Sequence, residues 1–144
     1  MNKTVIALWG TANIGKSMTL ARLGRQLQAN GATTSANISG GDYRAIFQYQ
    51  NKTIGLQTYG DTEHLVNQGL TEFQNQQCDI IAIASKSYGA TVDAIGAFAG
   101  QNGYRIIWAS PYEVRDGSIT TDAIKTYAAS HLLRMIDDVI SSII

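Results

Sequence analysis

Residues 9–18 read WGTANIGKSM, and they leave directly from an apolar run, TVIALW, at Thr4 to Trp9. The fold turns on this junction. An apolar run without alternation is what a strand buried on both faces requires. Downstream, Lys16 to Asn30 sets Leu20, Leu23 and Leu27 on one helical face, and Gly31 supplies a stop. Between strand and helix, Gly10 to Ser17 reads G-T-A-N-I-G-K-S, which fits G-x-x-x-x-G-K-[ST] at each fixed position. The residue types follow from the chemistry. Glycines let the backbone bend and approach phosphate oxygens without a Cβ clash. Successive N–H groups then form an anion nest at a helix N-terminus, where the dipole also favours negative charge. The cradle comprises Gly10, Thr11, Ala12, Asn13, Ile14, Gly15, Lys16 and Ser17, with Met18 next to it. Lys16 reaches the β- and γ-phosphates, and the Ser17 hydroxyl suits Mg²⁺.

The rest of the chain is consistent with one domain of this kind. Its 144 residues form a single unit, residues 1–144, with no repeat and no low-complexity linker. Eleven basic residues balance eleven acidic ones. A nucleic-acid surface or an anionic membrane calls for a basic excess, so neither is expected as a partner. No apolar stretch is long enough to span a bilayer, and the N-terminus lacks a signal-peptide pattern. The lone Cys78 makes no internal disulfide, which suits a reducing cytoplasm. His64 and His131 lie far apart, which argues against a Cys/His metal site.

Apolar runs alternate with helical patterns, the mark of an α/β fold with a mostly parallel sheet. YRAIFQYQ and TIGLQTY flank Asn51-Lys52 and predict a hairpin whose first strand lies on a sheet edge. Tyr43, Ala45, Phe47 and Tyr49 alternate with Arg44, Ile46, Gln48 and Gln50. Glu63 to Gln76 predicts a helix with Val66, Leu70 and Phe73 on one face. Asp79 to Ser85 and Tyr104 to Ser110 predict a second and a third buried strand, with a helix over Thr91 to Gln101 between them. A long C-terminal helix follows, with an apolar stripe through Ile124, Tyr127, Leu132, Met135, Val139 and Ile143. That stripe either packs on the sheet or meets a second copy in a homodimer.

The motif, with its strand before and helix after, resembles the P-loop nucleoside-triphosphate-binding family. The resemblance implies a three-layer α/β fold of about five strands, mostly parallel, with an antiparallel edge hairpin. It implies a nucleoside triphosphate as ligand and Mg²⁺ as cofactor. The hairpin followed by a helix is similar to the order in Ras-like GTPases, which carry D-x-x-G at this strand end. Here Gln57-Thr58-Tyr59-Gly60 lines up with it, and Gln57 stands where the family has an aspartate. Glutamine offers no charge-assisted acceptor. Asp61 is the substitute as metal ligand, with Glu63 or His64 to orient water or accept a proton. The catalytic candidates are therefore Lys16, Asp61 and Glu63, and the metal candidates Ser17 and Asp61. Asp61 as a plain cap of the next helix weighs equally.

The family's N-K-x-D guanine reader has no match at Ser85 to Tyr88 or at Ala109 to Tyr112. ATP is therefore favoured over GTP, with Pro111, Tyr112 and Val114 as an adenine wall by resemblance, or as an ordinary loop. Lys86, Ser87 and Tyr88 form either a wall for the γ-phosphate or a second substrate, or a turn with a Thr91 cap. Arg115 is the one lid-type arginine, and Thr33, Thr34 and Ser35 are switch candidates. Three activities stay open: a small Mg²⁺-dependent NTPase or nucleotide switch, a kinase acting on a small acceptor, and a module that binds nucleotide without turnover. A protein partner would suit a slow switch.

Overall fold

The computed structural model describes residues 1–10 and 15–144. The cradle positions Thr11, Ala12, Asn13 and Ile14 lie outside the described residues. The chain runs β1 (Thr4–Leu8), α1 (Lys16–Ala29), β2 (Arg44–Tyr49), β3 (Lys52–Gln57), α2 (Glu63–Asn75), β4 (Ile80–Ala84), α3 (Ala90–Asn102), β5 (Arg105–Ala109) and α4 (Thr121–Ile140). The strands form one five-stranded sheet in the order β2-β3-β4-β1-β5. Only the edge pair β2–β3 is antiparallel; β3–β4, β4–β1 and β1–β5 are parallel.

Strand alternation divides the sheet residues between two helical layers. Ile6, Leu8, Ile80 and Ala82 face Leu20, Leu23 and Leu27 of α1 and Leu132, Ile136 and Val139 of α4. Val5, Ala7, Ile81 and Ile83 face Val66, Leu70 and Phe73 of α2 and Ile95 of α3. β1 and β4 are buried along their whole lengths, as residues covered on both faces must be. Tyr43, Ala45, Phe47 and Tyr49 are buried and the alternate β2 residues are not, so β2 is the expected edge strand.

Four expectations change. The hairpin turn is Gln50-Asn51, not Asn51-Lys52: Lys52 pairs with Tyr49, and both turn residues take left-handed φ of 51° and 62°. A two-residue turn with positive φ at both positions matches the twist of the flanking strands. β5 is a partly exposed edge rather than a third buried strand, with Trp108 40% exposed, because no strand lies beyond it among the described residues. The stripe of α4 is also rotated. Lys125, Ala128, Ala129, Leu132, Ile136 and Val139 are buried, while Tyr127 and Ile143 are 69% and 68% exposed. Small alanines let α4 approach α1, and the larger Tyr127 points outward. Finally, Thr62 rather than Asp61 caps α2, its hydroxyl accepting from Leu65 N–H at 3.2 Å.

Candidate functional site

The parallel strands end at one edge of the sheet, where Gly15 to Met18 meet the loops leaving β3 and β4. They enclose a cavity of ≈ 570 Å³, lined among others by Gly15, Lys16, Ser17, Asp42, Asp61 and Lys86. Gly60 explains how the β3 loop comes so close. A Cβ at Gly60 would collide with the Ala84 carbonyl oxygen, so only glycine permits that approach.

Lys16 forms the floor of this cavity. It is 8% exposed, and its ammonium donates to Gly10 O at 2.7 Å and Ser85 O at 2.6 Å. It thus ties the end of β1 to the end of β4. Burial lowers its pKa; nearby Asp61 opposes that shift, and Lys86 adds to it. Gly15, just before it, has φ 86°, a left-handed conformation that suits glycine.

Ser17 has an acidic partner that the sequence reading missed. Its hydroxyl donates to the Asp42 carboxylate. The buried Thr58 hydroxyl donates to the same carboxylate at 2.9 Å and accepts from Tyr43 N–H at 3.0 Å. Asp42 closes the loop S-G-G-D just before β2, a stretch whose composition signals only a turn. Its carboxylate becomes a site group because β2 pairs with β3 and so sets Asp42 beside Thr58.

Gln57 has a different position from the one its alignment suggested. It is fully buried and turned to the α2 side of the sheet. It accepts from Arg44 Nε at 2.8 Å and donates to Tyr59 O at 3.0 Å and Leu65 O at 3.2 Å. A Cβ at Gly69 would strike the Gln57 amide, so α2 lies directly against it. Gln57 therefore fastens the β3–α2 loop to α2, and the neighbouring Thr58 faces the cavity instead.

The other sequence candidates separate. Asp61 lines the cavity and acts electrostatically on Lys16. Glu63 lies in the first turn of α2 and lines a groove between α2 and α3. His64 is exposed and lines a groove beside Arg44. Thr33 bridges to Gln48, and Thr33, Thr34 and Ser35 line a surface groove beside β2 rather than the cavity. Lys86 lines the cavity; Ser87 and Tyr88 do not, and Tyr88 is 81% exposed. Thr91 is not the α3 cap, which is Gly89; its hydroxyl accepts from Lys86 N–H at 3.0 Å and holds that turn. Arg115 extends into solvent beside Glu113, 2.9 Å away. Met18 lines the cavity mouth.

Lys125 is the second residue missed. It lies on α4, more than one hundred positions from the cradle, yet is only 3% exposed. Its ammonium donates to Tyr112 O, and its chain covers Gly15 where a Cβ would otherwise stand. Burial lowers its pKa, and Glu113 partly opposes that shift. Lys125 is not part of the apolar stripe named for this helix, and its burial follows only from the packing of α4 on α1.

Cys78 is buried, and burial pushes its thiol up to about 12, with Asp79 and Glu72 adding to the shift. Such a thiol is no nucleophile. No group of three or more His, Cys, Asp or Glu side chains suited to a metal occurs among the described residues. No helix among them is long and apolar enough to cross a membrane. Compared with known proteins, the chain matches no family model, no curated protein and no solved structure.

Proposed function

We propose that this chain binds a Mg²⁺–nucleoside triphosphate, ATP in preference to GTP, at Gly10 to Ser17. It then acts as a small P-loop NTPase or nucleotide switch. One observation carries the reading. The hydroxyls of Ser17 and Thr58 converge on the Asp42 carboxylate at a cavity whose floor is Lys16. A buried cation and a hydroxyl–carboxylate pair in one cavity suit the two halves of a metal–phosphate ligand.

The donor set fits Mg²⁺. That ion keeps several waters and takes one or two carboxylates plus phosphate oxygens, so a site without three protein carboxylates is expected. Ser17 and Asp42 would hold it, with Asp61 nearby. When bound, Mg²⁺ neutralises charge on the phosphate oxygens being transferred. Lys16 exchanges its carbonyl partners for phosphate oxygens, which as charged acceptors bind it more strongly. Lys86 adds a second positive charge at the same cavity. Asp61 holds the attacking water, with Glu63 brought closer only if the β3–α2 loop moves. Binding without turnover is the second reading. Its support is that Gln57 is committed to α2 and Glu63 lies outside the cavity.

The test is thermal stability with ATP and with GTP, each with Mg²⁺ or EDTA, beside Lys16→Ala. A ligand at about 100 times its Kd stabilises by roughly 2.7 kcal/mol. The expected result is a Mg²⁺-dependent rise in Tm with ATP that Lys16→Ala abolishes. No rise with either nucleotide at millimolar concentration overturns the proposal.

A further inference from the structure

The sheet has two edges, and they are finished differently. β2 carries the polar Arg44 and Gln48, and Thr33 bridges to it. Thr33 N–H donates to Gln48 O at 3.0 Å, and Gln48 N–H donates to Thr33 O at 2.9 Å. β5 reads Arg105-Ile106-Ile107-Trp108-Ala109 and has no strand beyond it among the described residues. An edge strand is ordinarily guarded by a lysine, a proline, a bulge or a covering segment. β5 contains no lysine or proline, and its one charged side chain turns inward: Arg105 Nε donates to Thr4 Oγ1 at 2.9 Å.

The hydrogen bonds fix which backbone groups stay open. Arg105 N–H donates to Lys3 O at 3.0 Å, and Ala109 O accepts from Trp9 N–H at 2.9 Å. Alternate residues of a strand turn to the same neighbour, so Arg105, Ile107 and Ala109 face β1. The N–H and C=O of Ile106 and Trp108 face the open edge. Consider an antiparallel copy of β5 with Ile107 on the two-fold axis. Ile106 then lies opposite Trp108 of the second copy, and Trp108 opposite its Ile106. Each such pair exchanges two hydrogen bonds, so the open groups of both strands are all used. A slip of one residue opposes open groups with groups committed to β1, and a longer slip runs past the ends of the strand.

The side chains suit the same register. Ile106 packs on the α2/α3 side, and Trp108, two residues on, shares that face. Aromatic residues opposite β-branched ones are favourable cross-strand pairs. Arg105 meets Ala109, so like charges do not oppose each other, and the chain is neutral, with eleven residues of each sign. A stable dimer hides about 800 Å² of each partner, more than a strand edge supplies, so the flanking helices must also approach. Asp93, Ala97 and Gln101 of α3 face α2; the other flank carries Gly96 and Gly100, where a Cβ would meet nothing within 4 Å. Tyr127 of α4, one turn before His131 at the β5 cavity, is exposed.

We propose that β5 is the edge through which two copies of this chain pair, antiparallel about a two-fold axis at Ile107, into one continuous sheet. The contact is separate from the phosphate cavity and stands whether or not Gly10 to Ser17 takes a nucleotide.

The test is sedimentation of the full chain, without nucleotide, from micromolar to near-millimolar concentration, with amide hydrogen exchange over the same range. A monomer–dimer equilibrium is expected. The Ile106 and Trp108 amides should exchange fast in dilute solution and slowly in concentrated solution. Ile107, bonded to β1 in either state, should stay slow throughout. Trp108→Lys should weaken the dimer about a hundredfold, the scale for a central aromatic of an interface. If that variant does not fold, the wild-type exchange pattern still decides. A chain that stays monomeric, a dimer in which Ile106 and Trp108 exchange as fast as in dilute solution, or a dimer that a folded Trp108→Lys leaves intact would each overturn the proposal.

Discussion

The two faces of the sheet are built from the same alternating strands but carry different chemistry. The α2/α3 face is an apolar contact of Val66, Leu70, Phe73 and Ile95 against Val5, Ala7, Ile81 and Ile83, and a polar group buried at its edge, the Gln57 amide, is neutral. The α1/α4 face has a comparable apolar centre, yet it also buries Lys16, Thr19 and Lys125. Burying a lysine is costly unless it is paired. These polar groups gather where α1 begins and α4 passes it, beside the proposed phosphate site. One face supplies packing, and the other spends some of its packing on placing charge.

Four substitutions or conditions should sharpen or break this contrast. The largest effect is expected from Phe73→Ala, which empties a fully buried aromatic position on the plain face. Denaturant unfolding should show a loss of about 3–5 kcal/mol, with the Mg²⁺–ATP shift retained in the folded fraction. A loss of that shift alone, without loss of stability, would contradict the division of labour.

Gln57→Asp comes next. It shortens the side chain and removes the amide donors to Tyr59 O and Leu65 O. Stability should fall by about 1–3 kcal/mol, with no gain in Mg²⁺ affinity. A gain would show that Gln57 faces the metal after all. Asp42→Asn should leave stability nearly unchanged, since Asp42 is exposed. It should weaken Mg²⁺–ATP about tenfold, roughly the difference between a charged and a neutral acceptor, with little change for ATP in EDTA. Calorimetric titration separates the two.

The smallest effect is on alkaline stability, and its sign differs between the buried tyrosines and thiol on one hand and the buried lysines on the other. Tyr43 and Tyr49, on the α1/α4 face, are pushed up to about 12, chiefly by burial. On the α2/α3 side, Tyr104 donates to Cys78 O, and burial pushes both Tyr104 and Cys78 up to about 12. The folded state therefore keeps protons that the unfolded chain releases from about pH 9–10 upward. Stability from these groups is complete below that range and is lost as pH rises towards 12. Lys16 and Lys125 have lowered pKa values, so they work the other way. The folded state sheds their protons first, and stability grows up to the ordinary lysine range. Tyr104→Phe should flatten the alkaline loss, and Lys125→Met should steepen it, in unfolding curves taken from pH 8 to about pH 11.

Much of the fold was legible because burial on two faces writes itself into composition. β1 and β4 have no polar face to show, and α2 repeats its apolar residues at the helical period. β5 misled for the same reason: its apolar run resembles that of a central strand, but its place in the sheet order is not written in it. Lys16, Ser17 and Asp61 could be placed from motif and strand end alone. Asp42 and Lys125 could not, since neither forms a local pattern with the cradle.

The sequence by itself determined the alternation of strands and helices, the glycine-bearing junction after β1 and the identity of its lysine and serine. These are short-range matters of periodicity, backbone freedom and side-chain chemistry. Only the tertiary structure decided that β4 separates β1 from β3, that Gln57 turns to α2 while Thr58 turns to the cavity, that Asp42 lines that cavity and that Lys125 covers Gly15 beside it. A strand's side chains alternate between faces, so which of two neighbours reaches a cavity depends on pairing and register, and those are set by the whole core.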